Sequence, residues 1–253
     1  MNHIIVRETA SEIRAIARGA LKGNWPVVIV AMAVYYIMTT TIPDLLAVLI
    51  PSAAYNVYNE YLQEYITISY VSNLYNFVLS GAFPVGLCSF LLAFFRKKEG
   101  NPAHIFNGFE VFLKSFLLMM LQSIFIFLWA LLFVIPGIIA ALRYSQAYYI
   151  LAEHPQKGVL QCIRESKLIM TGNKVKYLCV LLSFIGWWLL AAVITVLVPT
   201  ASGVLGVIID FVASVPMIAV MAYANTAQVV FFDLATEHLA PKQPEFSDSD
   251  YHF

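Results

Sequence analysis

Pro136-Gly-Ile-Ile-Ala-Ala-Leu-Arg143-Tyr-Ser-Gln-Ala-Tyr-Tyr-Ile-Leu-Ala152 is the stretch on which the fold turns. It is apolar enough to enter a bilayer, but the residues from Ile138 onward cover only about 22 Å at ~1.5 Å each, against a hydrocarbon core of about 30 Å. Parity decides how it is read. Basic clusters stand at Arg7/Arg14/Arg18/Lys22, at Arg96/Lys97/Lys98 and at Lys157/Arg164/Lys167/Lys174/Lys176, and Lys and Arg collect on the cytoplasmic side of membrane proteins. Two crossings must then separate the second cluster from the third. Residues 138–152 become a short fourth span, and Pro136-Gly137 an outer turn. The alternative is a re-entrant segment kinked at Pro136, which leaves five spans and puts one cluster outside.

Working outward, the same logic orders the rest of the chain. Of the 15 Lys and Arg residues, all but Arg143 lie at or beyond one end of the long apolar runs. The runs give spans over about 25–42, 74–95, 111–135, 138–152, 177–198 and 204–232, the first ended by Pro43-Asp44. Residues 51–73, rich in Tyr, Asn and Ser and free of Lys and Arg, read as an external loop whose tyrosines suit an interfacial belt. The expected fold class is all-α: one integral-membrane domain over 1–237, a polytopic bundle of six transmembrane helices. A polar tail, 238–253, is expected to be disordered and cytoplasmic. With 60% apolar and 12% charged residues, the chain lies far from a soluble domain, which runs about 45–50% and about 25%. No room is left for a separate catalytic domain, and zero formal charge gives no ground for nucleic acid as a partner. The opening lacks the pattern of a cleaved signal peptide.

Two segments outside the spans are amphipathic. Ser11, Arg14, Arg18 and Lys22 share one helical face and Ile13, Ile16, Ala17 and Ala20 another, after a Thr9-x-x-Glu12 capping-box pattern. The second runs from Gln156 to Thr171, with Val159, Ile163 and Met170 opposed to Lys157, Gln161 and Arg164. Both are expected to lie on the inner leaflet, where Arg14, Arg18, Lys22, Lys157 and Arg164 would meet anionic lipids. Both end in Gly-Asn, at Gly23-Asn24 and Gly172-Asn173. One reading is an internal repeat of surface helix plus hairpin, with Phe106-Asn107-Gly108 as a degenerate third copy. The simpler reading, preferred here, is that Gly caps any helix that meets a span.

A resemblance enters in the second half. Trp129-Ala-Leu-Leu-Phe-Val-Ile-Pro-Gly-Ile-Ile139, then Arg143-Tyr-Ser-Gln-Ala-Tyr-Tyr-Ile-Leu-Ala-Glu153 with Pro155, then Ser166-Lys-Leu-Ile-Met170 with Gly172-Asn173, then Ser183-Phe-Ile-Gly-Trp187, together with Lys22-Gly-Asn-Trp25, resemble the bacterial integral-membrane family catalogued as domain of unknown function 975. The resemblance implies a membrane fold and brings no activity with it. The long loop over 51–73 looks peculiar to this member.

Chemistry would have to come from polar groups inside the bilayer, where they are costly. Arg143 and Asp210 are each placed about 9 Å below the outer boundary and could pair between spans four and six, as a gate or substrate-charge site or as a structural tie; the structural tie is preferred. Asp210, Ser214, Met217, Met221, Asn225 and Gln228 share one face of span six, kinked at Pro216, with Gln122 a plausible neighbour. That stripe reads equally as interhelical glue or as a transport path. Ser80, Ala82, Gly86 and Ser89 permit close helix contact in span two. Cys88, Cys162 and Cys179 and the scattered histidines form no metal pattern, and no nucleophile motif appears. The expectation is a non-enzymatic protein without cofactor in the bacterial cytoplasmic membrane, both termini cytoplasmic. A transport-related or permease-like subunit leads, a scaffold or regulatory protein follows, with a protein partner or homo-oligomer, and a lipid-handling protein or enzyme comes third.

Overall fold

A computed structural model describes residues 4–59, 64–198 and 201–236; the tail at 238–253 and the turn at Pro199-Thr200 fall outside the described residues. Among the described residues, four helices are long and apolar enough to cross a membrane: Trp25–Leu49, Phe112–Leu132, Lys174–Leu197 and Val215–Ala235. A fifth is added if the pair Tyr70–Leu79 and Ala82–Lys97, bent by 46°, counts as one.

The first of these outruns its expected end. Helix α1 (Ala10–Leu21) is followed by α2 (Trp25–Tyr36), a π-helical stretch over Ile37–Thr41, and α3 (Ile42–Leu49). The helix passes through Pro43 because the Ile42 N–H bonds back to Ile37, and this wider turn accommodates a residue with no N–H to donate. The expected loop is partly a strand pair. After a turn at Pro51–Ala53, β1 (Ala54–Asn59) runs antiparallel to β2 (Glu64–Ser69), pairing Ala54 with Ser69 and Asn59 with Glu64. Alternating Tyr, Val and Ile among polar residues favours strand over coil.

Span two is two helices, α4 (Tyr70–Leu79) and α5 (Ala82–Leu92), the second running into a π-helical stretch over Ala93–Lys97. A 3-10 segment, Pro102–Phe109, then packs closely on α5. A Cβ on Gly86 would collide with the Ile105 carbonyl, and one on Gly108 with the Ala82 carbonyl. The small residues of span two are thus occupied within the molecule, and Asn107 adds a 3.2 Å bond to the Ser89 hydroxyl.

The stretch that decided the topology is no single helix. Helix α6 (Phe112–Leu132) stops at Phe133, which is extended, and α7 (Val134–Tyr144) carries Pro136 in its first turn, so the reversal precedes Pro136-Gly137. Pro is tolerated there because a first-turn N–H has no intrahelical partner to lose. A short α8 (Ala147–Glu153) follows. The pair returns antiparallel along α6: Gly137 lies against Ala130, Gln122 Nε2 donates to the Tyr144 carbonyl at 3.0 Å, and Lys114 Nζ donates to the Pro155 carbonyl at 2.6 Å. The chain therefore comes back to the level at which α6 began, in two short pieces.

The rest is α9 (Val159–Ile169), α10 (Lys174–Leu182), α11 (Ile185–Leu197), α12 (Gly203–Ala213) and α13 (Val215–Ala235). Span six is divided at Ser214. Helix α1 has the expected capping box, but it does not lie apart from the bundle: Ile13, Ala17 and Leu21 are fully buried against α10 and α13. It runs parallel to α10, tied by Asn173 to the Val6 N–H, Lys176 to the Arg7 carbonyl and Arg14 to the Ser183 carbonyl. Gly23 and Gly172 both have positive φ, +82° and +76°, the left-handed conformation that ends a helix at little cost only with glycine.

These contacts have a cyclic order. The chain forms three hairpins: α2–α3 with α4–α5, α6 with α7–α8, and α10–α11 with α12–α13. Each short segment packs on the hairpin that precedes it, the 3-10 segment on α5 and α2, and α9 on α8, α6 and α7. Helix α1 packs instead on the third hairpin, closing a ring. The two glycines cap helices as the simpler reading has them, and the order of segments and hairpins also matches the three-copy reading. Inside this collar the second helices of the hairpins, α5, α8 and α13, meet one another.

Candidate functional site

Three charged side chains meet where those inner helices end. Arg96, Glu153 and Asp233 each stand at or near the C-terminus of the second helix of a different hairpin. Arg96 Nη1 reaches Glu153 Oε1 at 2.6 Å, while its Nε and Nη2 reach Asp233 Oδ1 at 2.8 and 2.6 Å. The Asp233 side chain is 2% exposed and that of Glu153 14%. Phe232 places its ring 5.9 Å below the guanidinium and stacks on Tyr149 at 5.1 Å. One planar cation thus holds two carboxylates in a mostly apolar core, the geometry for which arginine is suited. Removing it would leave buried charge uncompensated.

A polar seam lies beside this triad. The Tyr177 hydroxyl donates to Gln228 Oε1 at 3.0 Å and also meets the side chains of Ser145 and Gln146. The Gln146 backbone N–H is held by the Ser166 hydroxyl at 3.2 Å, and that hydroxyl donates to the Arg143 carbonyl at 2.8 Å. Gln146 is fully buried and its Oε1 accepts no hydrogen bond.

Arg143 and Asp210 are not brought together. The Arg143 backbone is bonded to α9, on the collar side, at the level of Ser145, Tyr177 and Gln228. Asp210 is exposed on α12, packed near α3 and close enough to Asp44 for their charges to repel. Gln228 and Asp210 are eighteen residues apart along the chain, about 27 Å at ~1.5 Å per residue. The early reversal at Phe133 carries Arg143 deeper toward the collar, so no ion pair forms. The stripe on span six is also divided. Ser214 donates to its own Phe211 carbonyl and Asn225 to Met221, so only Gln228 bonds another helix, while Gln122 ties α6 to α7.

The basic residues assigned to lipid differ among themselves. Lys157 is paired with Glu165 at 2.7 Å, and Arg14 is half-buried on Ser183. Arg18, Lys22 and Arg164 are exposed. Burial of Glu165 opposes its ionisation, but hydrogen bonds from Lys157 and Gln161 outweigh it and hold the carboxyl below its usual range. Two cavities stand out among the described residues. One of about 440 Å³ lies between α1, α2, α11 and α13; the other, about 230 Å³, is lined by Tyr35, Thr39, Tyr75, Asn76 and Ser80 at the bend between α4 and α5.

The sequence alone does not bring the triad together. Arg96 reads there as one of a cytoplasmic basic cluster, Glu153 as part of a family motif, and span six ends at Phe232, one residue short of Asp233. A signal was present: Phe95-Arg96, Ala152-Glu153 and Phe232-Asp233 each place one charge directly after an apolar run.

Apolar hairpins arranged in a ring, with a charged knot where their inner helices end, define a class: an all-α bundle whose longest helices are long and apolar enough to cross a membrane. The chain belongs to the DUF975 family, described as a protein of unknown function, whose model matches residues 1–137 and 130–238. No curated protein and no solved structure matches it.

Proposed function

We propose that this is a non-enzymatic, permease-like subunit of the bacterial cytoplasmic membrane. Its three hairpins make six crossings, and both termini and the collar face the cytoplasm. The observation that carries this reading is the convergence of Arg96, Glu153 and Asp233 from three hairpins above a polar seam. Charged and hydrogen-bonding groups inside a bundle mark a route for polar solute, and a triad that ties the ends of three hairpins together closes such a route at the cytoplasmic end. The fourth crossing is the broken pair α7–α8, admissible because its interruption at Ser145-Gln146 faces protein.

The test is labelling with a membrane-impermeant maleimide of chains carrying Asn225→Cys or Ser214→Cys, with Cys88, Cys162 and Cys179 replaced. A path along span six predicts modification from at least one side. Absence of labelling from both sides would reject it and favour the second reading, a scaffold or regulatory protein. One observation favours that alternative: Tyr149 and Phe232 stack across the interior and fill it with aromatic surface. A scaffold predicts a stoichiometric partner on crosslinking.

A further inference from the structure

The larger cavity lies apart from the triad and has its own chemistry. Its wall is apolar, formed by Trp25, Trp187, Leu190, Ile194, Pro216 and Val220 among others, and Arg18 is the one charged residue that lines it. At about 440 Å³ it falls within the roughly 300–1,000 Å³ usual for small-molecule sites.

Its orientation follows from α1. Bonds from Lys176 to Arg7 and from Arg14 to Ser183 run at a constant offset along α10, which sets Arg18 level with Trp187, one turn further on. Beyond that level Leu189, Leu190, Val193, Ile194, Val196 and Leu197 of α11 are exposed, with no charged residue between them. Two indoles at this boundary suit the membrane–water interface, where Trp is enriched. From Trp187 to Ile194 the groove descends about 10 Å at ~1.5 Å per residue. One end of the cavity therefore sits among headgroups and the other among hydrocarbon.

The cation at the mouth is unbalanced. Arg18 is in no ion pair among the described residues. One turn before it on α1, outside the cavity lining, Arg14 spends one nitrogen on the Ser183 carbonyl at 3.3 Å, and its Nε is buried without an acceptor among the described residues. Glu12 on α1 is engaged by Thr9 in the capping box. Apolar walls with an uncompensated guanidinium group at the interfacial end fit an amphiphile with a long tail and an anionic head.

We propose that this groove binds one anionic phospholipid, its acyl chain between α11 and α13 and its phosphate on Arg18. Basic residues spread over a surface attract a leaflet; this arrangement selects a molecule. The site rests on reading the chain as a membrane bundle and is independent of any path along its axis.

Native mass spectrometry of the delipidated full chain in detergent, titrated with phosphatidylglycerol or phosphatidylcholine of equal chain length, tests it. A single phosphatidylglycerol should be retained in preference to phosphatidylcholine. Arg18→Gln should weaken retention about tenfold, as loss of one charged hydrogen bond implies. Ala219→Phe, which fills the groove, should weaken both lipids, and Arg164→Gln on α9 should change neither. Equal retention of the two lipids, or phosphatidylglycerol binding unaffected by Arg18→Gln and Ala219→Phe, would overturn the proposal. Competition by inorganic phosphate alone would reduce the site to an anion site without a tail and overturn it likewise. Failure of cysteine labelling on span six leaves these outcomes unchanged, so the two readings fail separately.

Discussion

Arg96 stands between two carboxylates, one of them almost wholly buried, and this asymmetry decides what a substitution there does. Desolvating three charges is expensive, and their mutual attraction does little more than offset that cost; removing one member is another matter, costing about 3–5 kcal/mol because the remaining charge has no partner. Arg96→Met should therefore lower the melting temperature of the detergent-solubilised protein sharply. Replacing all three together, as Arg96→Met with Glu153→Leu and Asp233→Leu, should restore most of the loss. If the triple variant is no more stable than the single one, the triad does more than neutralise itself. Arg143, which the sequence singles out as the exceptional cation, plays no such part, since its level is set by the reversal at Phe133 and by the bond from Ser166 to its carbonyl.

Among the elements, α9 offers a pH-dependent handle. The Glu165 carboxyl is held below its usual value of 4.5 by Lys157 and Gln161. A group whose folded pKa is depressed contributes stability that is present above the unfolded value and lost as pH falls through the folded one. The protection of α9 amides against exchange, taken relative to the intrinsic rate at each pH, should thus be constant above the usual carboxylate range and fall below it, and Glu165→Gln should flatten the profile. Unchanged protection in the wild type across that range would show that the pair does not anchor α9. The same scale shows what the sequence makes legible. Apolar runs located the long helices because hydrophobic length is a local property. Their ends are less legible: a π turn joins α2 to α3 and carries the first span past Pro43, and at the 46° bend after Leu79 the backbone of Gly81 lies close against Ser115 of α6. The strand pair, 54–59 with 64–69, reads as a loop because its polar content outweighs its alternation.

Across the whole molecule the order is cyclic, and nothing local announces it. The Gly-Asn junctions suggest a repeat, but that α1 covers the last hairpin depends on contacts more than 160 residues apart, such as Asn173 with Val6. A chain lacking residues 1–22 should keep its first two hairpins and lose stability in the third. A synthetic peptide of those residues should restore it, whereas the same peptide with Ile13→Asp should not. Equal melting of the truncated and full chains would show that α1 is dispensable. The ring also has an order in time. The ribosome makes α1 well before its docking surface, α10 and α13. Until α13 has been made, the apolar face of Ile13, Ala17 and Leu21 must be sheltered elsewhere, by the bilayer surface or a chaperone, because long-range contacts form only once both partners exist. Helix α1 is therefore a clasp that can shut only after the third hairpin is in place, and an open one would mark a bundle released too soon.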